Sequence, residues 1–193
     1  MLGLLLIASQ QVAQTPAPPV LQISFQDSNG KLRAITGTPD QRGTVMFLMI
    51  PDCPIARQYA AEMERIRKEY APKKIQTFTV IADPDYTSAR SKQFAKEYGI
   101  GSPVVLTSKN RFTFSSGQAI SPTAIVISNE GQIVYRGRID DRYPKLGVQR
   151  KPQRRDLRIA LDQFLAGKPV TVPQTKAVGC IIPPEFLKGR GVQ

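Results

Sequence analysis

Hydrophobic and polar positions alternate early in the chain and cluster later, and the two patterns predict different kinds of strand. Leu21-Gln22-Ile23-Ser24-Phe25 alternates with period two, the pattern of a strand buried on one side. Ser28-Asn29-Gly30 supplies a turn that accepts positive φ, so Lys31 to Ile35 is predicted to return as the second strand of a hairpin. Thr44 to Ile50 is almost continuously apolar and rich in strand formers, which suits a central strand covered on both faces.

Pro51-Asp52-Cys53-Pro54 breaks that run, and Pro54 fits the first position of a helix, where a missing N–H costs nothing. Ile55, Tyr59, Met63, Ile66 and Tyr70 then recur at helical spacing, and Ala71-Pro72 ends the element. Ile75 to Ala82 is predicted as a strand. Asp83-Pro84-Asp85 is expected to cap a second helix that stops at Tyr98, before Gly99. Val104 to Leu106 is a short strand. Ile120 to Ser128 is predicted as one strand entered through Pro122, and Asn129-Glu130-Gly131 turns it into Gln132 to Arg136. Leu157, Ala160, Leu161, Phe164 and Leu165 mark a last helix, stopped by Gly167-Lys168-Pro169. The order of hairpin, βαβα, ββ and α predicts an α/β fold, a central mixed β-sheet flanked by helices with an added N-terminal β-hairpin.

The ends read differently from the middle. Leu2 to Ala8 is a short apolar run, followed by a polar stretch and a Pro-rich linker. Residues 1–20 are therefore expected to be a signal peptide or a disordered leader, although no Lys or Arg precedes the apolar run. Residues 21–167 form the expected domain, and 168–193 a Pro- and Gly-rich extension carrying Cys180. Export predicts an extracytoplasmic location, in the periplasm or cell envelope.

The chain has 193 residues, 41% of them hydrophobic and 22% charged, which argues for a globular domain and against wholesale disorder. Its net charge is +12, and it contains no histidine. Half of that excess falls between Arg136 and Arg158, where nine basic residues face three acids. The segment lacks interleaved aromatic residues and any nucleic-acid module signature, so nucleic acid is not an expected partner. A solvated basic face able to meet anionic lipid headgroups or an acidic partner is the simpler reading.

Two cysteines are candidates for chemistry. Cys53 follows a buried strand and precedes a helix, so first-turn N–H groups favour its thiolate. It also lies at the carboxyl end of a strand, where open α/β sheets carry their sites. Cys180 is 127 positions later. It follows Gly167 by thirteen positions, and at roughly 3.3 Å each these span about 40 Å, enough to cross a small domain. A reversible redox pair, a permanent staple and two separate thiols all remain open on this reading.

The stretches Cys53-Pro54-Ile55-Ala56-Arg57-Gln58-Tyr59, Ser121-Pro122-Thr123, Tyr135 to Tyr143 (YRGRIDDRY) and Ala177 to Ile182 (AVGCII) resemble the redoxin (AhpC/TSA-related) branch of the thioredoxin-like superfamily, in its extracytoplasmic bacterial form. The resemblance spans roughly residues 22–182. It implies a thioredoxin-like fold, a cis bond at Pro122 and thiol–disulfide oxidoreductase activity. In that scheme Cys53 is the nucleophile and Cys180 the resolving cysteine. Pro54 and Pro122 support the site, and Arg136 and Arg138 stabilise the thiolate or steer a partner. Asp52, Asp140 and Asp141 are expected to be caps or surface charges.

The chain departs from both better-known patterns. Ala56 stands where a thioredoxin-type reductase has its second cysteine. Met46 and Ile50 stand where a peroxiredoxin has proline and threonine. The expected partners are a protein disulfide or peroxide substrate and a thiol reductant. A peroxidase is the alternative activity. No cofactor is expected, and Cu(I) held by two thiolates is the one remaining metal reading.

Overall fold

The computed structural model describes residues 23–110 and 119–187; the leader predicted at residues 1–20 lies outside them. Strands β1 (Ser24–Gln26) and β2 (Leu32–Ala34) form the predicted hairpin. Five strands make the main sheet: β3 (Gly43–Met49), β4 (Ile75–Ile81), β5 (Val104–Leu106), β7 (Thr123–Ser128) and β8 (Ile133–Gly137). Their spatial order is β5-β4-β3-β7-β8. β3, β4 and β5 run parallel, while β7 is antiparallel to β3 and β8 is antiparallel to β7.

The central position of β3 explains its composition. Every residue from Gly43 to Met49 is buried, and successive side chains serve opposite faces. Val45, Phe47 and Met49 join a core with Tyr59, Met63, Ile66 and Tyr70 of α1 (Pro54–Tyr70) and Leu157, Ala160 and Leu161 of α3 (Asp156–Leu165). Met46 and Leu48 join a second core beneath the hairpin, with Ile35, Phe78, Val80, Ile125 and Ile127. α2 (Ser88–Glu97) adds Phe94 to the first core.

Three elements differ from the pattern-based expectation. The cap of α2 is Thr87, whose hydroxyl accepts from the Arg90 N–H at 3.2 Å. Asp83 instead closes a local turn by accepting from the Asp85 N–H at 2.9 Å. The strand predicted over Ile120–Ser128 is divided at Pro122 into β6 (Ala119–Ser121) and β7, which belong to different sheets. Proline has no N–H for a ladder, so the chain changes partners there.

The third difference is the tail, whose composition gave no sign of regular structure. It contains β9 (Cys180–Ile182), antiparallel to β6, followed by a 3₁₀ turn over Pro184–Leu187. Val178 and Cys180 pack against the helix-covered core, whereas Ile182 and Leu187 are buried in the other. The tail thus straps across from one side of the sheet to the other.

Candidate redox site

Cys53 is the N-cap of α1, with φ −76° and ψ 113°. Its N–H donates to the Ile50 carbonyl at 3.1 Å, closing the turn after β3, and its carbonyl accepts the Arg57 N–H at 3.1 Å. Pro54 occupies the first helical position, so the first free helical amides belong to Ile55 and Ala56. The helix start carries no acidic residue in its first turn, so nothing on that turn opposes negative charge on the sulfur.

The structure joins Cys53 to Cys180 in a disulfide, with their Cα atoms 5.9 Å apart. Cys53 is 1% exposed and packs in the main core, while Cys180 is partly exposed. The β6–β9 ladder sets this meeting: Ser121 lies opposite Cys180, Ile120 opposite Ile181 and Ala119 opposite Ile182. Ser121 has three contacts at the site. Its hydroxyl accepts the Ile50 N–H at 2.8 Å. Its carbonyl oxygen lies 3.2 Å from Cys53 Sγ. The same carbonyl is so close to Gly179 that a Cβ there would collide with it. That carbonyl accepts a hydrogen bond from Cys53 only as a thiol, so it counters the helix start, which favours the thiolate.

The Ser121–Pro122 bond is cis. Pro122 and Val178 border a recess of about 10 Å³ with Tyr59, Arg138, Ile139 and Asp140, room for about one water. The Tyr59 hydroxyl donates to Asp140 Oδ1 at 2.6 Å, and the Arg142 guanidinium sits 4.7 Å from the Tyr59 ring centre. Burial, with the neighbouring Asp140 charge, pushes the Tyr59 hydroxyl far above its ordinary pKa, so it serves as a fixed donor.

The two predicted supporting arginines lie differently about the site. Arg138 Nε donates to Asp156 at 2.6 Å, and its backbone N–H donates to Thr175 Oγ1 at 3.0 Å. Arg136 stands opposite Ile125 of the second core, one position out of phase with Tyr135, which is buried in the main core with Cys53. The structure therefore brings together Cys53, Cys180, Pro54 and Pro122, with Arg138 at the border and Arg136 on the opposite phase of its strand. Ser121 and Gly179 lie inside the stretches that carry the resemblance but receive no role from it, and Thr175 is not singled out by the sequence at all.

Of the three carboxylates expected as caps or surface charges, one is a surface charge and two are buried. Asp52 is exposed and pairs with Arg57 at 2.8 Å, as a surface charge does. Asp140 and Asp141 are buried, at 3% and 5% exposure. Asp141 accepts the N–H groups of Gln153 and Arg154, both at 2.8 Å, and pairs with Arg150. At least five of the nine basic residues between Arg136 and Arg158 bind carboxylates of the described residues: Arg138, Arg142, Arg150, Arg154 and Arg158. Much of that segment's charge thus fastens a long loop, because a buried carboxylate needs several donors.

The chain belongs to the Redoxin family, whose profile matches residues 13–147, and thereby to the thioredoxin-like superfamily. Family and cysteine pair together make it an oxidoreductase of the thiol–disulfide type. A hypothetical protein from Sinorhizobium meliloti is 24% identical with a TM-score of 0.71, the match covering 89% of this chain and 93% of that one. An uncharacterized conserved protein from Geobacillus kaustophilus is 21% identical with a TM-score of 0.66, covering 86% and 90%. A protein assigned as a thiol:disulfide interchange protein, DsbE, from Chlorobium tepidum is 16% identical with a TM-score of 0.53, covering 77% and 93%. These likenesses establish a shared fold. No curated protein matches the chain in sequence.

Proposed function

We propose that the protein catalyses thiol–disulfide exchange with Cys53 as the attacking thiol and Cys180 as the resolving one. The observation that carries this reading is the cystine itself. It links the N-cap of α1 to a tail strand 127 residues away, at a Cα separation of 5.9 Å. In the reduced protein the Cys53 thiolate bonds to one sulfur of a client disulfide and expels the other as a thiolate. Cys180 then bonds to the Cys53 sulfur, the client's second thiolate leaves, and the intramolecular disulfide is restored. The client gains two electrons and the protein loses them. α1 supplies the field that favours the attacking thiolate, and withdrawal of the tail gives the client access to Cys53.

A protein disulfide is the favoured substrate over a peroxide. Ile50 offers no side-chain hydroxyl beside the cysteine turn, and its N–H is engaged by Ser121. An extracytoplasmic location accords with a cystine persisting in the resting protein.

The test is a redox titration joined to a trapping experiment. A midpoint above about −300 mV in a thiol–disulfide buffer, with Cys180→Ser accumulating a mixed disulfide between Cys53 and a cystine-containing protein, is the expected result. A midpoint far lower, with no trapped adduct, would make the bond a permanent staple and end this reading.

A further inference from the structure

We infer that the oxidised protein is reduced through attack on the Cys180 sulfur, not on Cys53; the inference rests on the exchange reading above and assigns the second half of its cycle. A thiolate displaces one sulfur of a disulfide from the side opposite the leaving sulfur, so access behind each sulfur decides which one is attacked. Cys53 is 1% exposed and sits among the buried side chains of the main core. Ser121 adds a carbonyl oxygen 3.2 Å from its sulfur, an arrangement that repels an incoming anion. Cys180 is partly exposed.

The surroundings of Cys180 favour an incoming thiol. It lies on β9, which pairs with β6 in a two-stranded sheet and has no second strand partner among the described residues. The next residue, Ile181, is 55% exposed, so β9 also offers an apolar contact to an incoming partner on the strand face opposite Cys180. Departure is favoured from the other sulfur too. Cys53 leaves at the start of α1, where the first-turn amides stabilise the new charge against the opposing Ser121 carbonyl, whereas Cys180 on its strand has no helix start to stabilise it as a leaving thiolate.

The step balances as follows. A reductant thiolate bonds to Cys180 Sγ while the Cys53–Cys180 bond breaks, its electron pair leaving on Cys53. A second reductant thiolate bonds to the reductant sulfur of the adduct and expels Cys180 as a thiolate. Two reductant thiols become one disulfide, the cystine becomes two thiolates, and these equilibrate with protons of the solvent. The reductant is a thiol, either a small one or the dithiol of a protein.

The full-length oxidised protein is mixed briefly with glutathione in one arm, and in the other with a dithiol reductase protein whose own resolving cysteine is replaced. Acid quenching, alkylation and peptide mass spectrometry then show which cysteine carries the adduct. An adduct on Cys180, with the alkyl label on Cys53, in an excess of about tenfold or more is expected in whichever arm reacts. The faster arm names the source of the thiol. An adduct mainly on Cys53 overturns this inference and leaves the exchange reading intact. No adduct in either arm, under conditions that open an exposed reference disulfide, overturns both.

Discussion

Ser121 stands opposite Cys180 across the β6–β9 ladder, and the Ser121 carbonyl oxygen is at the same time 3.2 Å from the sulfur of Cys53. One backbone unit thus fixes where the tail docks and how the buried sulfur is solvated.

The first prediction uses the close approach behind that docking. A Cβ on Gly179 would strike the Ser121 carbonyl, a backbone atom that cannot swing aside. Overpacking of this kind costs about 1–3 kcal/mol. Gly179→Ala should therefore shift the equilibrium constant for opening the cystine by about tenfold toward reduction, since 1.4 kcal/mol is a factor of ten, which is about a threefold lower glutathione concentration because two glutathiones are consumed. An unchanged midpoint would show that the tail does not need this contact.

Reduction should cost stability without any mutation. A link between residues 127 positions apart closes a long loop, and loop-closure entropy assigns such a link about 5 kcal/mol. Urea unfolding with and without reductant should differ in this direction and by no more than about that amount, because a compact unfolded chain loses part of the benefit.

Thr175 offers a way to loosen the tail without touching either sulfur. Its hydroxyl oxygen accepts the Arg138 N–H at 3.0 Å and shares a 2.7 Å hydrogen bond with the Tyr135 hydroxyl. Thr175→Val keeps the shape and leaves buried polar partners unmet, which costs about 1–3 kcal/mol. Faster hydrogen exchange confined to residues 173–182 is the expected result. Equal loss of protection throughout the main sheet would mean the tail is no separate unit.

Acid should weaken the fold through its buried carboxylates. Burial opposes charge on Glu62 and Asp141, but hydrogen bonds prevail: Arg158 and Arg65 on Glu62, and the Arg154 and Gln153 N–H groups with Arg150 on Asp141. Both carboxyls consequently titrate below their ordinary values. A group whose folded pKa is depressed contributes stability fully above its unfolded value, about 4, and loses it as pH falls through the folded value. Urea midpoints should hold steady down to about pH 5 and drop below about pH 4. Asp141→Asn should lower the midpoint at neutral pH and flatten the acid limb; an unaltered acid limb would assign the loss to other groups.

Periodic elements were legible in the sequence because their environment is uniform along their length. β3 is buried on both sides and reads as a continuous apolar run, while α1 faces one core and repeats at helical spacing. The position of Cys53 followed from those two elements. β9 was not legible, since three residues carry no period and its partner, β6, lies about sixty positions away. The burial of Asp140, Asp141 and Asp156 was hidden for a related reason. A carboxylate is buried by arginines and amides that converge from elsewhere in the chain, and composition records only that both charges are present. The division at Pro122 was visible as a proline, but the change of sheet depends on the tail strand waiting beside it.

The segment around Gln174 also lies alongside β8, where Arg136 donates its N–H to the Pro173 carbonyl at 2.9 Å and Thr175 donates to the Arg136 carbonyl at 3.1 Å. β8 is an outermost strand of the main sheet, and an uncovered outermost strand is a template for another chain. The cystine that closes each exchange cycle therefore also restrains the cover over that outermost strand. Prolonged reduction at high concentration without a client should loosen this cover and favour self-association, so consumption of the reduced form by its client protects solubility as well.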